Sequence, residues 1–293
     1  MGSAKSIFQV VARFNTEYKC MQHLERIRWP KGLSCLRCRS KRIMRFRADG
    51  KTGKERSLYE CVDCRYQYSV TAGTIFHDSH LPLVKWFLAI YLICSAKKGV
   101  SALQLQRDLE IGSYKTAWYM AHRIRLAMRD DPQFCRKFAG IVEVDETYIG
   151  GRRAGRRGRG AANKVPVVGI KERASGKVRL QAMSDLRSTS LARFIRLYAK
   201  RGAEVHTDEL SYYKWLDRSE FSHESVNHSE TYVRGNVHVN GIETIWSLFK
   251  RGIHGAFHHV SEKYLPLYLD EFAFRINHRG HDNLLDAVLT TTS

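Results

Sequence analysis

The chain has 293 residues and a mass of 33.8 kDa, enough for one sizeable core plus smaller appendages, so more than one module is expected. Its 49 Lys and Arg against 29 Asp and Glu give a formal charge of +20 and a pI near 9.8, which points to a polyanionic partner, nucleic acid ahead of membrane. No apolar run reaches the roughly 18 residues of a membrane span, and Met1 to Val11 lacks the core and cleavage site of a secretory signal, so a cytosolic protein with no membrane partner is expected.

Residues 1–30 carry Phe8, Val11, Phe14, Cys20, Leu24 and Ile27 at helical spacing and read as one or two short helices, ended by Trp29-Pro30. Residues 31–80 change to short β-prone pieces, such as Leu58 to Glu60 and Tyr66 to Val70. Here Cys35-x-x-Cys38 and Cys61-x-x-Cys64 stand 22 residues apart. A reducing compartment argues against disulfides, and four thiolates on two tight turns can close a tetrahedral Zn²⁺ shell with a β-hairpin spanning the gap. Such a closed site is structural, since it leaves no position for substrate. The competing reading is four buried apolar cysteines, but Arg37, Arg39, Lys41, Arg42 and Arg65 flank the pairs. Cys20, Cys94 and Cys135 lack partner spacing and read as ordinary small apolar residues.

Residues 81–135 open with a strongly apolar helix, Leu81 to Ala96, closed by Lys97-Lys98-Gly99. Two helices follow, Ser101 to Leu109 and Ser113 to Arg129, joined through Glu110-Ile111-Gly112, with Ser101 and Ser113 as N-caps. Short helix, glycine turn and longer basic helix read as a helix-turn-helix in which the second helix enters a DNA groove. Lys115, His122 and Arg123 are the candidate DNA contacts, against the alternative of a solvated basic face. Trp118 and Met120 read as core.

From residue 136 to 293 the pattern is α/β. Strands are expected at Ile141 to Ile149, Val165 to Lys171, Val178 to Met183 and Glu204 to Thr207, with helices at Ser190 to Lys200, Asn240 to Gly252 and Ser261 to His278. Three strands, a helix and a fourth strand suggest an RNase H-like sheet. Between the first two strands a Gly-rich loop holds Arg152, Arg153, Arg156 and Arg157; it is a candidate phosphate-backbone contact, the alternative being a solvated loop.

Two-residue alternation puts Glu143 and Asp145 on one face of their strand and Val142, Val144 and Glu146 on the other. A carboxylate within an apolar strand needs a compensating partner, and a metal ion is one. Asp208 ends a second strand, and Glu243 lies in the first turns of a later helix. Three such acids can converge at one sheet edge and hold a pair of Mg²⁺ or Mn²⁺ ions. Without cations they would repel one another by about 4 kcal/mol per pair at 4 Å and an effective dielectric of 20. Ile242, Ile245, Trp246 and Phe249 form the stripe that docks this helix, and Lys250, with Arg251 beside it, returns near the angular position of Glu243 to meet a phosphate. Glu143, Glu146 and Glu209 are the competing acids.

The CxxC pairs, Ser69 to Phe76, Val142 to Gly151, Val205 to Asp208 and His238 to Gly252 together resemble the bacterial insertion-sequence transposases with an ISXO-like transposase domain, relatives of the eukaryotic Merlin elements. The resemblance spans about residues 8–279 and implies a DDE-type enzyme that binds terminal inverted repeats of double-stranded DNA, cuts 3′ ends and transfers the strand, working as a dimer or larger assembly. It makes Asp145 and Asp208 the first two catalytic acids and offers Glu243 or Asn240 as the third. Glu243 is favoured, because a charged ligand binds Mg²⁺ better, and Asn240 is then a helix cap or auxiliary ligand. A metal nuclease without strand transfer, and a zinc-ribbon and helix-turn-helix DNA binder with a vestigial catalytic domain, are the alternatives.

Overall fold

The computed structural model describes residues 6–49, 55–129, 131, 135–150, 164–208, 211–218, 220–226, 236–281 and 283–291. They form two compact units, one made of Met1–Ser95, Ala102–Ala127 and His281–Ser293, the other of Ala96–Ser101 and Met128–Gly280. Among the described residues no helix is long and apolar enough to cross a membrane.

In the first unit, α1 (Ile7–Arg13) starts with a capping box: Ser6 Oγ accepts the Gln9 N–H while Gln9 Oε1 accepts the Ser6 N–H. Helix α2 (Glu17–Arg28) starts at Thr16, whose hydroxyl accepts the Lys19 N–H at 3.3 Å. Both pack on α3 (Leu83–Ser95), which is apolar on nearly every side and buries Leu83, Trp86, Phe87, Ala89, Ile90, Ile93 and Cys94. The third neighbour of α3 is α9 (Leu284–Thr291), a helix with no counterpart among those expected, whose position in the chain would place it in the catalytic domain. His23 Nε2 donates to Asp286 Oδ1 at 2.5 Å and ties α2 to α9. Three antiparallel strands, β1 (Ile43–Asp49), β2 (Glu55–Cys61) and β3 (Gln67–Ser69), make a small sheet in that order. Beside it Trp29, Tyr59 and Tyr68 form an aromatic cluster with centroids 5.4 to 6.1 Å apart. Helices α4 (Ala102–Asp108) and α5 (Tyr114–Arg129) are joined through Glu110, at φ 48°, and Gly112. Ser113 Oγ accepts the Thr116 N–H at 3.1 Å, as an N-cap should.

The second unit is built on a five-stranded sheet of order β6-β5-β4-β7-β8. Strands β4 (Ile141–Ile149), β5 (Val165–Glu172) and β6 (Val178–Ala182) are antiparallel neighbours, while β7 (Glu204–Asp208) runs parallel to β4 and β8 (Ser222–Val226) parallel to β7. Strand β8 has no counterpart among the expected strands. Alternation on β4 sends Val142 and Val144 into a core shared with Leu191, Phe194 and Ile195 of α6 (Ser188–Tyr198) and with Tyr213 and Leu216 of the 3-10 segment Ser211–Arg218. The other face of the sheet packs Val167, Val178 and Leu180 under α7 (Asn240–Gly252) and α8 (Leu265–Asn277), through Ile242, Ile245, Trp246, Phe249, Leu269 and Phe272. Strand β4 is therefore covered on both faces, and any carboxylate it carries between the layers is withdrawn from water.

Candidate metal centres

The two CxxC turns repeat one geometry. Arg39 and Arg65, each four residues past the first cysteine of its pair, have φ of 61° and 57°, and their N–H groups donate to the Cys35 and Cys61 carbonyls at 3.0 and 2.9 Å. The turns face one another, with Cys35 Sγ 3.5 Å from Cys64 Sγ and Cys38 Sγ 3.5 Å from Cys61 Sγ. All four sulfurs lie within 4.8 Å of one another, and this donor set fits a structural zinc ion. Burial raises the Cys35 thiol pKa, but the N–H groups of Cys38 and Arg37 aimed at its sulfur, together with the thiols of Cys64 and Cys38, outweigh that and bring it down to about 6, partway to the thiolate a metal needs.

The second cluster lies where β4 and β7 part. Their paired residues run from Ile141↔Glu204 to Glu143↔His206, and just past that point β4 presents Asp145 and Glu146 while β7 ends at Asp208. Asp145, Glu146 and Asp208 have carboxylate oxygens within 4.8 Å of one another. Asp145 sits under α7 and accepts the Trp246 Nε1–H at 3.0 Å. Burial, then the charges of Glu146 and Asp208 and more weakly Glu243, push its pKa up to about 8. Glu146 points to the other face, as alternation requires, and accepts the Tyr213 hydroxyl at 2.9 Å. Burial first and the Glu146 charge second hold that phenol well above its ordinary pKa, so it stays a donor.

Among the sequence candidates, Asp145 and Asp208 are thus brought together, and Glu146, one of the competing acids, joins them. Glu243 is exposed in the first turn of α7, near enough to raise the Asp145 pKa but outside the three-residue cluster. Crowding three half-buried carboxylates together is what a divalent cation relieves, so the residues present fit such an ion. Of the two roles offered for Asn240, that of helix cap is not taken up: the N-cap position falls on Val239, without a capping side chain, and Glu143 from β4 serves the first turn, its Oε2 accepting the Ile242 N–H at 2.9 Å.

The candidate DNA contacts fare unequally. Lys115 is exposed on α5, 6.0 Å from the Tyr119 ring centroid. His122 is a correction: it is 8% exposed, its ring centroid 3.9 Å from that of Trp118 with the planes tilted by 50°, because its position on α5 faces inward. Burial, helped by Arg125, lowers its pKa to about 4, so at neutral pH it has no charge to offer a phosphate. Arg123 donates to the His77 carbonyl at 2.8 Å and lies over the Trp86 ring. Lys250 and Arg251 are exposed in the last turn of α7. Arg152, Arg153, Arg156 and Arg157 lie outside the described residues.

Four thiols closing on one point of a small sheet, and an α/β unit that gathers carboxylates between helical layers, define a zinc-ribbon protein with an α/β domain that carries a carboxylate cluster. Residues 137–277 match the ISXO2-like transposase domain and residues 15–67 the transposase zinc-ribbon domain. An uncharacterized protein in transposable element ISH50 of Halobacterium salinarum is 31% identical over 287 residues, which cover 90% of this chain and 92% of that one. An uncharacterized transposase-like protein of Haemophilus influenzae is 34% identical over 101 residues, 34% of this chain and 81% of that one. The chain belongs to the ISXO2-like transposase family.

Proposed function

We propose that this transposase binds the terminal inverted repeats of an insertion element, cuts the 3′ ends and joins them to target DNA at one site made by Asp145, Asp208 and Glu243. The observation that carries this reading is the convergence of Asp145 and Asp208 from two parallel strands, with Glu243 felt electrostatically by Asp145 from a third element. Sheet order β6-β5-β4-β7-β8, with helices on both faces, supports an RNase H-like domain from residue 136 through α8. Asp145, Asp208 and Glu243 would hold a pair of Mg²⁺ or Mn²⁺ ions, whose chemistry there would be to make a nucleophile available at neutral pH and to offset charge on the leaving oxygen. The protein's own part is positioning. Trp246 holds one oxygen of Asp145, Tyr213 holds Glu146 beside it, and Lys250 and Arg251 stand ready at the far end of α7 for the DNA backbone.

Helices α4 and α5 with their left-handed turn support a helix-turn-helix in residues 81–135, and Tyr114, Lys115 and Tyr119 are among the exposed side chains α5 offers to a groove. The ribbon of residues 31–80 would add backbone contacts through Arg37, Arg39 and Lys41, on cytoplasmic DNA held by paired subunits. The test is Asp145→Asn in the full chain, with duplexes carrying the sequences that flank the gene. Wild type should cut them and join pre-cut ends when Mg²⁺ is supplied, and the variant should bind the same duplexes equally well yet yield neither product. Cleavage that persists in the variant would overturn the reading.

A further inference from the structure

Glu143 is 1% exposed and shares a face of β4 with Asp145, yet it stands outside the acidic cluster. Its two oxygens have separate duties. Oε2 accepts the Ile242 N–H at the start of α7, and Oε1 accepts from Arg173 Nε at 3.0 Å. Arg173, the residue just past β5, is a hub. It donates to the carbonyls of Asn236 and His238 at 2.8 and 2.9 Å, the residues that lead into α7, and to His206 Nδ1 at 3.3 Å. His206 is fully buried on β7 and donates from Nε2 to Glu204 at 2.6 Å.

Glu143 and His206 are paired across β4 and β7, and each precedes by two residues the aspartate of its strand. On α7, Ile242 meets Glu143 and Trp246 meets Asp145, four helical residues against two strand residues. Those intervals are about 6.0 Å along a helix and about 6.6 Å along a strand, so the two bonds match and together fix the register. Sliding α7 by one residue turns it by about 100° and breaks both. Gly241 keeps the approach open, because a Cβ there would lie 2.4 Å from Glu143 Oε2 and 2.4 Å from Lys171 Nζ.

We propose that Arg173 and Glu143 are positioning residues that lock β4, β7 and α7 in mutual register, so that Asp145, Asp208 and Glu243 are delivered to one point. The inference rests on reading those three acids as the metal ligands. Neither Arg173 nor Glu143 touches the ions in this scheme; they act through the segments they hold.

The test uses the full-length zinc-loaded chain and Mn²⁺ alone, titrated by electron paramagnetic resonance, with hydrogen exchange at the Ile242 amide as a second readout. Glu143→Gln keeps an acceptor but removes the ion pair, and Arg173→Lys keeps the charge but removes the fork. Each should bind Mn²⁺ about 10-fold more weakly than wild type and exchange Ile242 N–H faster, at unchanged zinc content. Ile245→Val, which loosens the α7 docking face without touching the hub, should leave Mn²⁺ affinity within about twofold, since its methylene loss is a packing effect alone. Asp145→Asn should abolish binding. If both hub variants bind Mn²⁺ as wild type does while Asp145→Asn does not, the positioning role is overturned and the metal site stands. The positioning role is equally overturned if Ile245→Val weakens binding as much as the hub variants do. If Asp145→Asn binds normally, the metal reading falls and takes this inference with it.

Discussion

Gly169 shows how much a missing side chain can decide. It pairs with Asp145 across β4 and β5, and a Cβ there would lie 2.6 Å from the Trp246 ring and 2.9 Å from Ile242 Cδ1. Only a residue without a Cβ leaves room there for the indole that reaches the carboxylate. Gly169→Ala should therefore lift α7 and cost about 1–3 kcal/mol as overpacking, read as a lower Tm and altered Trp fluorescence. At this scale the sequence was readable where a residue conflicts with its surroundings: Asp145 and Glu143 are charges in an apolar strand, and the cysteines have no other use at their spacing. Arg173 and Tyr213 carried no such signal, because an arginine after a strand and a tyrosine in a polar stretch are ordinary until Glu143 and Glu146 arrive from far along the chain. His122 misled for a related reason. Basic residues on both sides of it suggested a surface, whereas the i, i+4 pair Trp118–His122 faces the core.

Among elements, β8 and α9 were not foreseen, although β7 and α4, comparably short, were. Strand β8 reads Ser-His-Glu-Ser-Val, without the alternation that marks a half-buried strand, and is held by its ladder to β7. Helix α9 has eight residues, too few to be stable alone, and exists because Leu285, Val288 and Leu289 are buried in the first unit. Its polar anchor is Asp286. Burial raises the pKa of that carboxyl, but the hydrogen bond and charge of His23, the hydrogen bond from Asn283 and the charge of Arg13 together outweigh it, and the net value lies below the ordinary one. A depressed carboxyl pKa stabilises the fold above about pH 4 and loses that contribution as pH falls through the lowered value. Asp286→Asn should thus cost about 1–3 kcal/mol at neutral pH, with a shallower loss of stability at acid pH than wild type shows in urea unfolding. An acid limb as steep in the variant as in wild type would remove Asp286 as the anchor.

For the whole molecule, the two units have different sources of stability. The one that contains the ribbon sets four thiols around a site that fits zinc, while the other buries two apolar layers against its sheet. Chelating the zinc, or replacing Cys38 by Ser, should lower and broaden the thermal transition of the first unit in calorimetry and leave that of the second in place. A single transition that shifts as one would contradict this separation. Reading modules as consecutive blocks could not foresee how the units divide the chain, because covalent order says nothing about which apolar faces find each other. The first unit is discontinuous, with His281–Ser293 returning to it after Met128–Gly280 has been traversed. On the ribosome, α3 must therefore wait for its third neighbour until the whole intervening sheet has emerged. The first unit therefore completes its core only after the second has been translated, although most of its own residues leave the ribosome first.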